Sequence, residues 1–311
     1  MPFELLENEP LSRHTSFAIG GPATFFIRAR SRDDLLAVAT YVRQKRLPYT
    51  ILGGGSNVLV SDGGFDGVVI KNEDRAYSIE GTRVRASSGV VLASLVHATS
   101  EQGLSGLEWA FGVPGTVGGA VRGNAGAFGG ETKDILESVE IVDMITGEVK
   151  IVLQKDMGFT YRRSACVDHP EWLILQATLQ LTKSDPVSTR KKVQEFLAQK
   201  KETQPLGAHC AGSMFKNNPI HLFADTSSLP QEYVQKGRVP SGYLIEMAGL
   251  KGYHTDRIMI SDKHANFFIN TGGATSEDVV QLVGLAKKRV FEKYGIHLSE
   301  EIHYIGFLKK S

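Results

Sequence analysis

Glycine in this chain is concentrated in two short segments, and this clustering constrains the fold more than any other feature of the sequence. The 311 residues include 33 glycines, roughly 1.5 times the ~7% average share. Three are consecutive in the first glycine loop, Gly53–Asn57 (GGGSN), and eight lie in the second glycine segment, Gly112–Gly130 (GVPGTVGGAVRGNAGAFGG). Because glycine loses more conformational freedom on folding than other residues, such clusters indicate backbone that turns sharply or closely approaches another group.

The first glycine loop has the chemistry of a phosphate cradle, although neither G-x-G-x-x-G nor G-x-x-x-x-G-K-[ST] occurs. Consecutive main-chain N–H groups without side chains can converge on an anion, and Ser56 and Asn57 add side-chain donors. Two tight turns without a ligand are the alternative interpretation. Two such clusters in one chain favour close approach to a long cofactor that carries several phosphates.

Composition excludes several classes of protein. The length predicts two or three domains, and 35 basic against 34 acidic residues argue against a general nucleic-acid binder. No apolar run approaches ~18 residues and the N-terminus lacks a secretory pattern, so we expect a cytoplasmic protein without a membrane span. Cys166 and Cys210 are too few for a disulfide framework, and no cluster of metal ligands is visible, so no metal site is expected.

Local patterns predict a βαββ-like unit around the first glycine loop. Ser31–Asp34 (SRDD) is a capping-box variant that precedes a helix, and the apolar face of that helix recurs at i, i+3, i+4 and i+7. Strands are predicted at Tyr49–Leu52, 58–60 and 68–71, so that the loop follows the end of a strand. A second capping-box variant, 275–278, predicts a C-terminal helix that ends at Gly295.

Two longer segments resemble a known flavin-binding fold. GGGSNVLV (53–60) and FGVPGTVGGAVRGNAGAFGGE (111–131) are similar to the two flavin-contacting loops of vanillyl-alcohol-oxidase-type flavoproteins. Five further motifs narrow the match. Because all seven segments occur in the family's order along the chain, the whole chain resembles the UDP-N-acetylenolpyruvoylglucosamine reductase (MurB) family, in the shorter of its two types. Those motifs are RHTSFAIGGPA (13–23), YRRS (161–164), GSMFKN (212–217), LIEMAGLKG (244–252) and KHANFFIN (263–270).

The resemblance implies an α+β fold in three parts. A two-lobed PCMH-type FAD-binding domain would be followed by an α/β substrate-binding domain. The first FAD lobe would cover residues 1–68, joined by the tail 299–311, and the second lobe residues 69–185. Residues 186–298 would form the substrate domain, beginning with a polar helical linker.

The resemblance also implies a reaction. NADPH would reduce a noncovalently bound FAD, and the hydride would pass to C3 of the enolpyruvyl ether of UDP-N-acetylglucosamine-enolpyruvate. Protonation at C2 would complete UDP-N-acetylmuramate, a peptidoglycan precursor. No metal, nucleic acid, membrane or obligate protein partner is implied. The alternatives are an FAD-dependent oxidase of small alcohols or lactones that uses O₂, and a nucleotide-binding scaffold without catalysis.

Three residues match the catalytic positions of the family. Arg162 would grip the substrate carboxylate through two parallel hydrogen bonds, with Arg163 as the competing choice. Ser213 would donate the proton to C2; by spacing alone it reads as a turn serine. Glu301, in SEEIHYIG (299–306), would be the C-terminal acid, with Glu300 as the competing choice and the register with Ile302 and Gly306 favouring Glu301.

The same resemblance assigns the binding residues. The FAD would be contacted by Thr15, Ser16, Gly53, Gly54, Gly55, Ser56, Asn57, Gly112, Gly118, Gly119, Asn124 and Ala125. The UDP-sugar would be contacted by Lys216, Asn217, Tyr243, Lys251 and His264. An isolated Lys or His is more often solvent-exposed or internally satisfied. The family's FKNP motif is one residue longer here, as Phe215–Pro219 (FKNNP).

Overall fold

A computed structural model describes residues 3–307 of the chain, which form two compact units. The first unit comprises residues 3–9, Ala23–Gly54 and Asp66–Lys200, and the second comprises Pro10–Pro22, Gly55–Phe65 and residues 201–307. The chain therefore passes from one unit to the other inside the first glycine loop, between Gly54 and Gly55.

The elements follow one another along the chain in a mixed α and β order. The strands are β1 (Glu4–Pro10), β2 (Pro22–Ala29), β3 (Tyr49–Leu52), β4 (Val58–Val60), β5 (Phe65–Asn72), β6 (Tyr77–Glu80), β7 (Arg83–Ser87), β8 (Leu104–Ser105), β9 (Gly126–Ala127), β10 (Gly130–Glu131), β11 (Leu136–Asp143), β12 (Val149–Leu153), β13 (Trp172–Gln180), β14 (Thr182–Lys183), β15 (Asn218–Pro219), β16 (Arg238–Val239), β17 (Ile258–Ile260), β18 (Phe268–Asn270) and β19 (His303–Ile305). The α-helices are α1 (Arg32–Lys45), α2 (Leu92–Glu101), α3 (Val117–Gly123), α4 (Ala165–Asp168), α5 (Pro186–Thr203), α6 (Gln231–Gln235), α7 (Ser241–Met247) and α8 (Ser276–Tyr294).

Two sheets organise the first unit. One has the strand order β1-β2-β5-β3, with β3 parallel to β5, and the other is an antiparallel sheet of order β12-β11-β13-β7-β6. The predicted first helix is confirmed as α1, where the Ser31 hydroxyl accepts from the Asp34 amide. Its predicted face is buried: Leu35, Val38, Ala39 and Val42. That face packs with residues of β2 and β5 and with Val142 and Leu173 of the antiparallel sheet in one apolar cluster.

The second unit has a core of its own, built against the predicted C-terminal helix. Helix α8 has a reciprocal capping box between Thr275 and Asp278, and it ends at Gly295, which has φ +67°. Its predicted apolar face is buried in a cluster that includes Phe215 and Phe268. Strand β19 pairs in parallel with β4, so the C-terminal tail returns to the segment that follows the first glycine loop.

Two local predictions require correction. The predicted βαββ-like unit is incomplete, because β4 leaves the sheet of β3 and β5 and pairs with β19 of the second unit. The polar segment predicted as a helical linker is confirmed as a helix, α5, but most of it belongs to the first unit, where Val193 is buried in the core and Thr189 donates to Ser100. The predicted domain boundaries near residues 68 and 185 stay predictions. Residues 308–311 of the predicted tail lie outside the described part.

None of the helices in residues 3–307 combines the length and the apolar character that a membrane span requires.

Candidate active site

Ser213 lies at the start of an extended segment held between two other segments of the second unit. The Met214 amide donates to the Asn266 carbonyl at 2.8 Å, and the Lys216 amide donates to the Ser299 carbonyl at 2.9 Å. Met214 and Phe215 are fully buried, whereas Ser213 is half-buried. The Ser213 hydroxyl has no hydrogen-bond acceptor among the described residues, so its proton is available to a ligand.

Glu301 joins this segment from the other side. Its amide donates to the Met214 carbonyl at 2.9 Å, and its own carbonyl accepts from the Asn57 side chain at 3.1 Å. Ser213, Glu301 and Asn57, which were predicted from separate motifs, are therefore brought together in the second unit.

The neighbouring Glu300 has a different environment. Its carboxylate pairs with Lys287 of α8 at 2.6 Å. Burial, followed by the charge of Glu300 and its hydrogen bond, raises the pKa of Tyr304 to about 12. Glu300 is thus engaged in an ion pair with α8.

Thr15 and Ser16 lie beside the second half of the first glycine loop. The Ser16 amide donates to Gly55 at 3.0 Å, and the Ser16 hydroxyl donates to Cys210 at 2.6 Å. The Thr15 hydroxyl donates within its own turn, to Ile19. Gly55 has φ +66°, and a Cβ there would lie 2.1 Å from the His14 carbonyl oxygen, so only glycine fits this position.

The other half of the first glycine loop packs directly on the second glycine segment, within the first unit. A Cβ on Gly53 would lie 2.6 Å from the Thr116 hydroxyl oxygen, and a Cβ on Gly54 would lie 2.7 Å from the Gly115 Cα. Gly118 likewise abuts Ser88, whereas a Cβ on Gly119 would have space. Part of the glycine clustering therefore serves the contact between these two segments.

The loop amides nevertheless fit the pyrophosphate of a dinucleotide. Within residues 3–307, the main-chain N–H groups of Gly54, Gly55 and Asn57 have no protein acceptor. Gly55 is buried and Asn57 is half-buried, and N–H groups in such places are rarely left without an acceptor, whereas Gly54 is exposed. Unpaired amides in a glycine-rich loop after a strand are what an anion cradle needs. The donor set is therefore compatible with FAD.

Lys71 holds the base of this loop. Its ammonium donates to the Gly53 carbonyl at 2.7 Å, and the side chain is buried. Burial lowers the pKa of Lys71 to about 8, against the smaller opposing effect of Glu73. The sequence interpretation missed this residue, because a lysine in a strand carries no local signal for such a contact.

Arg162 occupies the turn of a two-residue hairpin in the first unit. Thr160 and Arg163 exchange two main-chain hydrogen bonds, and Arg162 between them has φ +56°. A long side chain is uncommon in this conformation, for which glycine is the usual residue. The guanidinium donates to Gly126 at 3.0 Å, whereas Arg163 pairs with the exposed Asp168. Arg162 has a positive φ and Arg163 does not. Because strained backbone is often found at functional sites, this difference supports Arg162 as the functional residue.

Asn124 fixes the surroundings of Arg162. It follows α3 at φ 41° and is fully buried. Its amide group donates to Glu131 and to Thr160, both at 3.0 Å, and its oxygen accepts from the Lys133 amide. Its side chain is thus used internally, so that any contact with a cofactor here would come from the main chain of 124–125.

Glu131 interacts with both Asn124 and Arg162, and these interactions change its pKa. Burial alone would raise the pKa of Glu131. Hydrogen bonds from Lys133 and Asn124, with the charges of Lys133 and Arg162, lower it overall. Glu131 therefore stays ionised, and it is a further residue that the sequence interpretation missed.

The predicted UDP-sugar residues lie in the second unit. Lys216 and Asn217 follow the Ser213 segment, and the Ser241 hydroxyl donates to the Lys216 carbonyl. The extra residue of the FKNNP loop is accommodated because Asn218 turns inward, is buried and donates to the same Ser241 hydroxyl at 2.9 Å.

Tyr243, Lys251 and His264 have protein partners of their own. Tyr243 packs edge-on against Tyr233, and Lys251 pairs with Glu246 at 2.9 Å. His264 accepts from the Asn266 amide through Nδ1, and burial lowers its pKa. The geometry around His264 is therefore that of a neutral, internally bonded histidine.

Asn266 is the third residue that the sequence interpretation did not single out. Its buried side chain accepts from the Phe215 amide at 3.0 Å and donates to the Phe215 carbonyl at 2.8 Å, and it thereby sets the path of the segment that carries Ser213. Its position within KHANFFIN was the available signal. Among residues 3–307, no cluster of His, Cys, Asp and Glu could hold a metal ion.

Two protein-family models match separate parts of this chain. Residues 23–152 match an FAD-binding domain family, and residues 204–305 match the C-terminal domain of UDP-N-acetylenolpyruvoylglucosamine reductase.

Relatives of the same description match over nearly the whole chain. The reductase of Caldanaerobacter subterraneus subsp. tengcongensis is 40% identical over 97% of this chain and 94% of its own length. The corresponding protein of Caldicellulosiruptor bescii is 39% identical over 97% and 91%. The crystal structure of UDP-N-acetylenolpyruvylglucosamine reductase (MurB) from Thermus caldophilus superposes with a TM-score of 0.77 at 32% identity, covering 98% of this chain and 99% of that one.

Proposed function

The chain belongs to the UDP-N-acetylenolpyruvoylglucosamine reductase family, and from this premise we propose how its own residues carry out that reduction. The activity is the reduction of the enolpyruvyl ether of UDP-N-acetylglucosamine-enolpyruvate to UDP-N-acetylmuramate, in peptidoglycan precursor synthesis. NADPH is the proposed electron donor, and the cytoplasm, where this donor is found, is the proposed location.

FAD, held noncovalently, would supply the two-electron chemistry by carrying hydride from NADPH to C3 of the substrate. The main-chain amides of Gly54, Gly55 and Asn57 are proposed to bind its pyrophosphate. Gly53 and Gly118 would keep the surrounding backbone close-packed, because neither position has space for a Cβ.

Ser213 is the proposed proton donor to C2. A serine hydroxyl is a weak acid in water, but the carbon that gains electron density next to a carboxylate is far more basic than water. Transfer then requires mainly that the hydroxyl is fixed and that no protein acceptor competes for its proton. Both conditions are supported by the bonds on either side of Ser213 and by the lack of an acceptor among the described residues.

Arg162 is the proposed ligand of the substrate carboxylate. Hydride addition at C3 places negative charge on C2 and on the adjacent carboxylate, and a guanidinium stabilises that charge without changing its own protonation. The left-handed turn at Arg162 supports this role, because it projects a long cation from a position that would be unstrained with glycine.

Glu301 is the proposed acid that orients the proton donor or a water molecule beside C2. Its main chain is fixed by Met214 on one side and by Asn57 on the other. Lys216, Asn217, Tyr243, Lys251 and His264 remain the proposed contacts of the UDP-sugar.

The observation that carries the proposal is the meeting of Ser213, Glu301 and Asn57 in one unit, because three motifs from distant parts of the sequence converge there. In an oxidase of alcohols or lactones, Ser213 and Glu301 would have no assigned role. The match of residues 204–305 to the reductase C-terminal domain also disfavours that alternative.

The test is a pair of half-reactions under nitrogen. We expect NADPH to bleach the visible flavin absorbance of the purified protein, and UDP-N-acetylglucosamine-enolpyruvate to restore it. A protein that purifies without flavin and does not bind added FAD would refute the proposal, as would a reduced flavin that O₂ reoxidises and the enolpyruvyl substrate does not.

A further inference from the structure

Lys200 is a buried lysine without a charged partner. It lies near the end of α5, in the first unit, and only 5% of its surface is exposed. Three cations in the first half of this helix pair with carboxylates: Arg190 with Glu101, Lys191 with Glu195 and Lys192 with Glu108. Within residues 3–307, Lys200 has neither a hydrogen-bond acceptor nor an acidic partner.

The side chain of Lys200 runs along the second glycine segment. A Cβ on Gly112, which has φ +75°, would lie 3.0 Å from Lys200 Cδ and 3.8 Å from Nζ. Nζ lies 5.7 Å from the centre of the Phe128 ring, which stacks on Phe196 at 4.4 Å. Gly112 thus makes room for the stem of the lysine, and the two rings form an apolar support beside its charge.

A buried cation of this kind costs free energy unless an anion pairs with it. Burial, the sole cause, lowers the pKa of Lys200 to about 8. A methionine of similar length would fill the same space without that cost. A lysine at this position therefore points to an anion from outside the chain, and the contact with Phe128 is the competing explanation.

We infer that Lys200 is a counter-ion for an anionic group of the bound flavin dinucleotide, either a phosphate or the ring system that becomes negatively charged on reduction. The inference rests on the proposed function. It is supported by the location of Gly112 and Phe128, which both lie within the segment matched to the FAD-binding domain family. Lys200 itself lies outside that match, in a helix that the sequence suggested was a linker.

The experiment compares the full-length holoenzyme with Lys200→Met, with Lys200→Arg as the conservative variant and with Lys191→Met as an exposed control on the same helix. Dilution of each protein, followed by the fluorescence that FAD gains on release, measures the affinity for oxidised FAD. A dye-coupled reduction measures the midpoint potential of the bound flavin. Thermal unfolding of the flavin-free protein measures the cost of burying the charge.

The two sources of the anion predict different results. If the partner is a phosphate, Lys200→Met binds oxidised FAD about 10- to 100-fold more weakly, as for loss of a charge-assisted hydrogen bond, and Lys200→Arg restores most of the affinity. If the partner is the reduced ring, the affinity for oxidised FAD is kept and the potential becomes more negative. In both cases flavin-free Lys200→Met is at least as stable as the wild type.

Unchanged affinity and unchanged potential in Lys200→Met would overturn the inference and leave the Phe128 contact as the explanation. The inference would also fall if Lys191→Met changed the two quantities equally. Failure of the wild type to bind FAD would instead refute the proposed function.

Discussion

The Asn57 side chain donates to the main-chain carbonyl of Glu301 at 3.1 Å, although 244 residues separate the two along the chain. The bond connects the last residue of the first glycine loop to the candidate acid. A second bond, from the His303 amide to the Asn57 carbonyl at 3.0 Å, fixes the same pair of segments. The position of Glu301 therefore depends on the loop proposed to hold the cofactor.

Replacement of Ser213 by alanine separates the two half-reactions. The variant lacks the hydroxyl proton but keeps the main-chain bonds of its segment, so reduction of the flavin by NADPH should stay near the wild-type rate. Reduction of the enolpyruvyl substrate should slow about 10²- to 10⁴-fold, as for loss of a general acid. Stopped-flow absorbance measures both steps. Ser299→Ala, an exposed serine across the same segment, is the control, and equal slowing of both steps in Ser213→Ala would contradict the assignment.

Arg162→Gly removes the guanidinium and relieves the backbone strain at this position, so it separates the effect on activity from the effect on stability. Glycine relieves the positive φ, which costs of order 1 kcal/mol for other residues, while it adds unfolded-state entropy. The free energy of unfolding should therefore change by less than about 1 kcal/mol, whereas kcat/KM should fall at least about 100-fold. Urea unfolding and steady-state kinetics measure the two quantities. Arg163→Lys should be near normal in both, and an active Arg162→Gly enzyme would remove Arg162 from the mechanism.

Glu301→Gln and Glu300→Gln should have opposite consequences. Glu300 pairs with Lys287 and interacts with Tyr304, so Glu300→Gln should lower the free energy of unfolding by roughly 1 kcal/mol or less and leave turnover intact. Glu301→Gln should keep stability and slow substrate reduction about 10²-fold. Thermal unfolding and single-turnover kinetics distinguish the variants, and a reversal of the two effects would favour Glu300 as the acid.

Gly54→Ala should destabilise the packing of the two glycine segments. The new Cβ would lie 2.7 Å from the Gly115 Cα, and main chain on both sides must move to accept it. We expect a loss of about 1 to 3 kcal/mol in the free energy of unfolding, with weaker retention of FAD on gel filtration. Gly284→Ala, in α8 with open space around its Cβ, should be slightly stabilising. A harmless Gly54→Ala would contradict the close packing.

Lys71 gives the stability of the protein a defined pH dependence. Its pKa is about 8 in the folded protein and 10.5 in the ordinary, exposed state. Between these values the unfolded chain binds the additional proton, so the stability of the wild type rises with pH in this window. Relative to Lys71→Met, the wild type should gain on the order of 3 kcal/mol from about pH 8 to 10.5. Urea unfolding across this range measures the difference, and a constant difference would show that Lys71 does not titrate as described.

Helices α1 and α8 show what could be predicted from local sequence. In both, the cap, the periodic apolar face and the end of the helix lie within about twenty consecutive residues, so the physical causes are contained in the segment itself. The pairing of β19 in the C-terminal tail with β4 could not be predicted from local sequence. Three-residue strands carry little signal, and their parallel pairing joins positions such as Val58 and His303 that no local pattern relates.

The residues of the candidate site could be predicted from the sequence, but the contacts and burial of their side chains could not. The motifs identified Arg162, Ser213 and Glu301, but the choice over Arg163 and Glu300 rested only on register. The structure adds a physical difference between Arg162 and Arg163, the left-handed turn at Arg162, and it places Glu300 in an ion pair with Lys287. Lys71 and Lys200 had no signal at all, because burial of a lysine depends on what packs over it.

The sequence by itself determined helices α1 and α8, the two glycine-rich segments and the family to which the chain belongs, since these depend on residue identity and short-range spacing. Tertiary structure alone decided that a lysine supports the first glycine loop, that a helix expected to be a linker buries another cation beside the second segment, and that Asn57 holds Glu301. The reason is that dihedral preferences and periodicity act over a few residues, whereas desolvation and side-chain hydrogen bonds depend on whichever distant segment folding brings into contact.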